Sequence, residues 1–435
     1  MRTATLSPSI EKLLAKHADF VAGTVMTILT ACAIIFPRAI PFFYFALTIM
    51  AVVELWRTGN ISNILKPPTF IGIFPGLLAS WCFFTIFWSQ DPMQALSKVS
   101  FLASIIIALL VVSSWLASIS PSMSMRLKTG LLTGILIGAL YLSVEIYFDQ
   151  AIKIGVLNLV DHAATGSQKH FKVLNNKIER IPLYLLNRNV ATLAILFWPS
   201  ILLAMGLWKG KSRWFVLAPI VTMTGIATYG SEHDTSQIAL MVSALLFGLT
   251  YFLPRIGLIS VKLIWVGAIL LVIPLAVAAY DAQLYKADWL PYSARARIII
   301  WSYTAHDYLK HPIIGVGALS TQVASDTIEI SEDKPANHVL PPQTARHGHN
   351  IFLQSWYELG AIGALLLLAT GLAIIAHINR MADRVKPYAI ATFGVALVLA
   401  AFTWGMWQVW YIAMFVFAMS AMQIVAHETS KETVQ

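Results

Sequence analysis

The chain has 435 residues, of which 58% are hydrophobic and only 12% are charged, and its formal net charge is +9. Soluble domains carry about 25% charged residues, so this composition excludes a soluble globular protein and indicates an integral membrane protein. The positive charge does not indicate a nucleic-acid partner, because the basic residues are scattered over many loops and form no dense run with interleaved aromatic residues.

Apolar stretches recur along the whole chain at lengths that suit membrane crossing. A helix needs about 20 mostly apolar residues to cross a hydrocarbon core of about 30 Å. About twelve stretches approach that length, at 20–36, 40–56, 70–88, 99–118, 129–148, 189–207, 215–230, 237–253, 263–280, 350–376, 388–403 and 406–426. The sequence therefore predicts an all-α polytopic membrane protein with about twelve transmembrane helices, in which residues 1–435 form a single integral membrane domain.

The distribution of lysine and arginine predicts the orientation of these spans. With twelve spans both termini lie on one side, and more than half of the 30 basic residues then fall in segments on that side. Because positively charged loops stay in the cytoplasm, the termini are predicted to be cytoplasmic. Two long segments, 149–188 and 281–348, then lie on the outer, periplasmic side.

Basic residues within the two outer segments depart from this rule. For most of the lysines there, an ordinary solvated charge explains the residue as well as a binding role does. Four arginines differ, because they lie at or near an apolar run and so near the lipid headgroups: Arg188, Arg295, Arg297 and Arg346. Guanidinium groups at that level suit an anionic membrane lipid or a phosphate partner.

The larger outer segment contains a helical pattern. Apolar and aromatic residues from Ile298 to Tyr308 recur at helical spacing, and a proline- and glycine-containing turn follows from Pro312 to Gly317. We expect an interfacial helix near 292–310.

The stretch HGHNIFLQSWYELGAIG, residues 347–363, places polar side chains at the start of an apolar span. His349 and Asn350 are followed after nine residues by Gly360 and after two more by Gly363. This spacing resembles the signature H-[N/S/Q]-x9-G-x-x-[G/T/Y] of the O-antigen ligase family, which is related to O-antigen polymerases and bacterial protein O-oligosaccharyltransferases.

Two further motifs are similar to that family. Arg297-Ile-Ile-Ile-Trp301 resembles its R-x-x-x-W segment, and His311-Pro-Ile-Ile-Gly-Val-Gly317 resembles its h-P-x-x-G-x-G turn. The order of the three motifs is more specific than any one of them. In one respect the chain departs from its relatives, which often carry an arginine in a short outer turn between two middle helices. Here that turn, 230–237, reads GSEHDTSQ and has none.

The resemblance implies a C-type glycosyltransferase-like fold and transfer of a glycan from undecaprenyl diphosphate to an acceptor hydroxyl, on the periplasmic side of the bacterial inner membrane. For a ligase the donor carries O-antigen and the acceptor is a sugar of the lipid A core. A polymerase or a protein O-oligosaccharyltransferase would use the same chemistry with another acceptor. No cofactor is implied.

The chemistry of such a transfer assigns roles to the motif residues. A sugar hydroxyl is a poor nucleophile, and imidazole, whose unperturbed pKa is about 6.5, is a suitable base for it. We therefore expect His349 to accept the proton. The leaving diphosphate needs fixed positive charge, for which Arg297 is the first candidate, followed by Arg188, Arg295 and Arg346. Direct displacement would invert the anomeric centre. Supporting roles are expected for three more residues: Asn350, Glu358 and Trp301.

Each role has a structural alternative. Outside the motif, a single histidine at a helix start is more often satisfied by backbone carbonyls, and Asn350 can act as a helix N-cap. We interpret Gly360 and Gly363 as helix-packing residues. A zinc site would need His347 and His349 together with a third ligand, for which His338 is nearest. The spacing of the first two is poor for one helix face, so we predict no metal.

A secondary transporter is the competing function from another class. Transporters place ionisable groups near the middle of the membrane, whereas the predicted spans are nearly free of charge and the polar residues gather on one side.

Overall fold

The computed structural model describes residues 8–65, 70–160, 171–175, 177–322 and 348–427. Within these ranges the chain is almost entirely helical, which confirms the predicted all-α polytopic architecture. The elements are α1 (Pro8–Ile35), α2 (Ile40–Arg57), α3 (Phe70–Thr85), α4 (Pro92–Leu116), α5 (Pro121–Tyr147), α6 (Ala151–Leu159), β1 (Lys172–Leu174), β2 (Lys177–Arg180), α7 (Asn187–Leu207), α8 (Trp214–Tyr229), α9 (Asp234–Phe252), α10 (Pro254–Leu270), α11 (Val272–Asp281), α12 (Tyr292–Tyr308), α13 (Ile351–Ile378), α14 (Lys386–Phe402) and α15 (Val409–Ala426).

Every predicted apolar stretch falls on a helix, but not every helix is long. Among the described residues, eight helices are long and apolar enough to cross a membrane, and the pair α10 and α11, bent by 65°, raises the number to nine. The stretches near 70–88, 215–230 and 388–403 form shorter helices. A helix, α12, also occupies the range in which the sequence predicts an interfacial one.

Close packing between α1 and α5 sets the position of the C-terminal end of α1. Gly130, Gly134 and Gly138 form a stripe on α5, and a Cβ at any of them would overlap α1. Small residues at this spacing let two helix backbones approach closely in a membrane. The carbonyls at the end of α1 then accept hydrogen bonds from Asn189 Nδ2, at 2.7 Å for Ile34 and 2.8 Å for Ile35.

The loops at the same end of the bundle are joined by hydrogen bonds. Ser89 Oγ, after α3, donates to the carbonyl of Ala318 at 2.6 Å. Gln150 Nε2, after α5, donates to the carbonyl of Ile181 at 2.7 Å. The first contact ties a short turn to the segment 281–348, and the second closes the segment 149–188 on itself.

A break in α13 explains why two of the sequence motifs occur together. Gly360 has φ 66° and ψ −168°, which interrupts the helix. The turn at 312–317 fills the gap, because Val316 N and Gly317 N donate to the carbonyls of Tyr357 and Glu358 at 3.1 and 2.9 Å. In return, Ala361 N donates to the carbonyl of Pro312 at 2.9 Å. The interpretation of Gly360 as a helix-packing residue was therefore wrong, since its close contact is with a turn.

Gly360→Ala is expected to destabilise the protein by about 1–3 kcal/mol or more. The left-handed backbone is unfavourable for a residue with a Cβ, and that Cβ would also overlap the carbonyl of Ile313. The melting temperature in detergent measures the effect. Gly248→Ala is the matched control, because open space surrounds Gly248 within α9. Equal melting temperatures for the two variants would contradict the proposed importance of the break.

Candidate active site

His349 lies just before α13 and is held by a backbone carbonyl. Its φ is 51°, in the left-handed region, and its Nδ1 lies 2.6 Å from the carbonyl oxygen of Thr403. A carbonyl only accepts hydrogen bonds, so Nδ1 carries the hydrogen and, in the neutral ring, Nε2 carries the lone pair. This tautomer gives His349 a basic nitrogen at a fixed position.

The residues beside His349 fix the start of α13. The side chain of Asn350 accepts a hydrogen bond from Leu353 N at 3.0 Å, which is the N-cap geometry that the sequence offered as an alternative. On the other side, Trp301 Nε1 donates to the carbonyl of Gly348 at 2.7 Å. The tryptophan of the R-x-x-x-W segment thus holds the backbone next to His349.

Trp301→Phe is expected to lower the transfer rate about fivefold to tenfold without changing the apparent affinity for the donor. The variant keeps the packing of the ring but loses one hydrogen bond, worth about 1 kcal/mol, that positions Gly348. Steady-state kinetics on purified protein would separate the two parameters. Trp356→Phe is the matched control, because its indole also donates to a backbone carbonyl, that of Ile269 at 2.7 Å. An equal loss in both variants would indicate a general structural effect.

Arg297 lies one turn before Trp301 on α12 and faces the turn at 230–237. Burial lowers the pKa of Arg297, and the charge of Asp234 opposes this shift. Burial, together with the charge of Arg297, also lowers the pKa of His233 to about 4. His233 therefore stays neutral near pH 7, and Arg297 supplies positive charge near the turn at 230–237, which itself contains no arginine.

The loop between α14 and α15, residues 403–408, contacts both His349 and His233. Trp404 stacks on His233 with ring centroids 5.3 Å apart and contacts Trp410 at 4.7 Å. The guanidinium carbon of Arg188 lies 5.6 Å from the centre of the Trp410 ring, a cation–π distance. The aromatic rings therefore link Arg188 on one side with His233 and Arg297 on the other, and the loop supplies the Thr403 carbonyl to His349.

Glu358 is fully buried in α13 and joins separate segments through hydrogen bonds. Its carboxylate accepts hydrogen bonds from Leu319 N at 2.7 Å, Gln354 Nε2 at 2.9 Å and the indole of Trp407. The other end of Gln354, Oε1, accepts from Met406 N at 3.0 Å. These bonds hold the loop that carries Thr403 and the turn that enters the helix break, so the supporting role expected for Glu358 is a positioning role.

The remaining predicted residues are placed differently. Arg295 forms an ion pair with Asp288, with Nη1 and Oδ1 3.6 Å apart. Arg346, His347 and His338 lie outside the described residues. Among the residues that are described, no three His, Cys, Asp or Glu side chains gather as metal ligands. Since two of the three histidines of the alternative zinc site are not among them, that alternative stays untested.

The sequence did not predict the loop at 403–408, because residue 403 and residues 406–408 fall at the ends of two predicted spans, 388–403 and 406–426. The signal was the stretch TWGMWQVW, residues 403–410, in which three tryptophans and a glycine lie close together between apolar runs. Gln354 was also missed. It lies one turn before Glu358 on the same helix, and that spacing brings the two side chains together.

Comparison with known proteins adds an independent observation. Residues 218–368 match the model of a family described as O-antigen ligase, and this region contains the turn at 230–237, all three motifs and His349. A "putative polysaccharide ligase" of Rickettsia conorii is 27% identical over 248 residues, which cover 56% of this chain and 58% of that protein. One from Rickettsia felis is 25% identical over 250 residues, covering 56% and 59%. The matches thus span less than two thirds of these relatives. They confirm the resemblance to the O-antigen ligase family.

Proposed function

We propose that this chain, as a relative of the O-antigen ligases, transfers O-antigen polysaccharide from undecaprenyl diphosphate to a sugar hydroxyl of the lipid A core, at the periplasmic face of the bacterial inner membrane. The observation that carries the proposal is the fixed tautomer of His349, set by the Thr403 carbonyl, on the same side of the bundle as Arg297 and Arg188. The site thus combines a base with fixed cations near a membrane surface.

The reaction is a single displacement. Nε2 of His349 takes the proton of the acceptor hydroxyl as its oxygen attacks the anomeric carbon of the donor sugar. The bond from that carbon to the diphosphate oxygen breaks, and the electron pair leaves with the diphosphate. Attack opposite the leaving group inverts the anomeric centre.

The arginines stabilise the charge that grows on the leaving group. One guanidinium about 4 Å from a phosphate contributes on the order of 4 kcal/mol at an effective dielectric constant near 20. Arg297 is the principal candidate, because burial strengthens its field and Trp301 on the same helix supports the His349 backbone. Arg188 lies over the ring of Trp410 at the start of α15. Arg295 and Arg346 are further candidates.

Full activity in the presence of EDTA is expected, because arginines supply the positive charge that a divalent ion would otherwise provide. Transfer by purified protein should be the same with and without chelator. Loss of transfer with EDTA, and its recovery on adding zinc, would support the alternative in which His347 and His349 bind a metal.

The acceptor distinguishes the ligase from its relatives. The two basic outer segments favour a phosphorylated acceptor such as the lipid A core, whereas a polymerase acceptor is another carrier-linked glycan. Lipopolysaccharide from a deletion strain, examined on a gel with and without complementation, tests this. Bare core together with long carrier-linked polymer supports the ligase, and chains of a single repeat unit would instead indicate a polymerase.

A further inference from the structure

Three basic side chains from separate segments meet near the start of α7. Arg38 lies in the turn between α1 and α2, Lys153 lies on α6, and Arg188 is the second residue of α7. Asn189 brings the first and third segments together through its bonds to the end of α1. Burial lowers the pKa of Lys153, the charges of Arg188 and Arg38 lower it further, and only Glu145 opposes the shift.

Among the described residues, this cluster holds more positive than negative charge, with three basic side chains beside the single carboxylate of Glu145. Within the described ranges, no carboxylate side chain forms an ion pair with any of the three basic side chains. Glu145 Oε1 accepts a hydrogen bond from the backbone N of Lys153 at 2.9 Å, and its one negative charge offsets part of the three positive charges. Nε of Arg188 is buried and has no hydrogen-bond partner among the residues that the structure describes. Like charges held together and partly removed from water are unfavourable unless an anion binds between them.

The helix that carries Lys153 also presents an apolar face to its surroundings. Ile152, Val156 and Leu159 are 44%, 55% and 86% exposed, and their spacing places them on one side of α6. The helix follows directly after the long apolar helix α5, which ends at the exposed Tyr147. An exposed apolar helix face beside a membrane span is typical of a helix that lies at the bilayer surface, which puts the basic cluster at the level of lipid phosphates.

We propose that Arg38, Lys153 and Arg188 together bind a phosphate group of a lipid-linked substrate. The inference rests on the proposed transfer function and adds Arg38 and Lys153 to the residues that position its substrates. Trp410 and Trp404 lie between this cluster and the turn that Arg297 faces. The phosphate belongs either to the diphosphate carrier or to a phosphorylated acceptor lipid.

Direct lipid binding to the purified full-length protein in detergent tests the proposal without depending on catalysis. The probes are undecaprenyl diphosphate, lipid A and phosphatidylglycerol, each measured by native mass spectrometry or a radioligand assay. The variants are Arg38→Gln, Lys153→Gln and the double variant. Lys172→Gln is the matched control, because Lys172 also lies in the outer segment but pairs with Glu179, with Nζ and Oε2 3.1 Å apart.

We expect the double variant to bind one of the two substrate lipids at least about tenfold more weakly, since charged hydrogen bonds are lost, and the control to bind normally. Weaker binding of undecaprenyl diphosphate identifies the donor as the ligand, and weaker binding of lipid A identifies the acceptor. Arg38 is exposed, so Arg38→Gln should remain folded and show part of the loss even if Lys153→Gln is unstable.

Two results would overturn the proposal: unchanged binding of both lipids, or equally tight competition by phosphatidylglycerol, which would indicate attraction to bulk anionic lipid. Failure of the transfer function would be recognised separately. In that case no transfer product forms, while the variants still lose lipid binding.

Discussion

His349→Ala is expected to reduce glycan transfer by about 10²- to 10⁴-fold, the range typical of a lost general base, while the protein remains folded and binds its donor. The substitution removes the imidazole and its bond to the Thr403 carbonyl, but the N-cap of α13 is provided by Asn350 and stays in place. The rate is measured with purified protein, lipid-linked donor and lipid acceptor, and donor binding is measured separately on the same preparation.

His306→Ala is the matched control for this experiment. Nδ1 of His306 also lies at hydrogen-bond distance from a backbone carbonyl, that of Ser302 at 2.8 Å, but this bond closes within α12. We expect its transfer rate to stay close to that of the wild type. Appreciable residual activity in His349→Ala would remove His349 from the role of base, and so would a parallel loss of donor binding that accounts for the whole effect.

Arg297→Lys is expected to reduce the rate by about 10²-fold or more, in line with the loss of one donor to a developing negative charge. Both side chains are cationic, but a guanidinium donates to two phosphate oxygens at once whereas an ammonium acts as a point charge. The loss should appear mainly in kcat, because the charge on the diphosphate grows as the bond breaks.

Arg57→Lys provides the comparison, because Arg57 pairs with Glu54 within α2 and faces no group of the site. It should transfer at the normal rate. An Arg297→Lys protein with nearly normal kcat would show that the leaving group is stabilised elsewhere, with Arg188 as the next residue to test.

The sequence predicted several features because they depend on local patterns. Apolar runs of about 20 residues locate helices whatever their neighbours are. The reason is that the backbone N–H and C=O groups must form hydrogen bonds within the chain where they cross the bilayer core. The spacing from Ile298 to Tyr308 similarly predicted a helix where α12 lies. The sequence did not determine the number of spans, because α8 and α14 are short and α10 bends sharply into α11.

The roles of the motif residues depended on contacts between distant parts of the chain. The tautomer of His349 is set by a carbonyl 54 residues away, and Gly360 is required by a turn that enters the helix break. The spacing of the motif identifies His349 and Gly360. Their partners, Thr403 and the turn at 312–317, lie outside the stretch 347–363. A carboxylate in a span is costly unless it is paired, and the partners of Glu358 come from the folded structure, among them Gln354 and Trp407.

By itself, the sequence determined that this chain is an all-α polytopic membrane protein resembling O-antigen ligases, with His349 and a set of arginines as the chemical candidates. Only the tertiary structure decided which of these groups lie near one another. Arg297 lies near the turn at 230–237. Arg188 lies near Arg38 and Lys153 on the other side of Trp404 and Trp410. The physical reason is that charges interact through space, so helix packing determines which side chains act together.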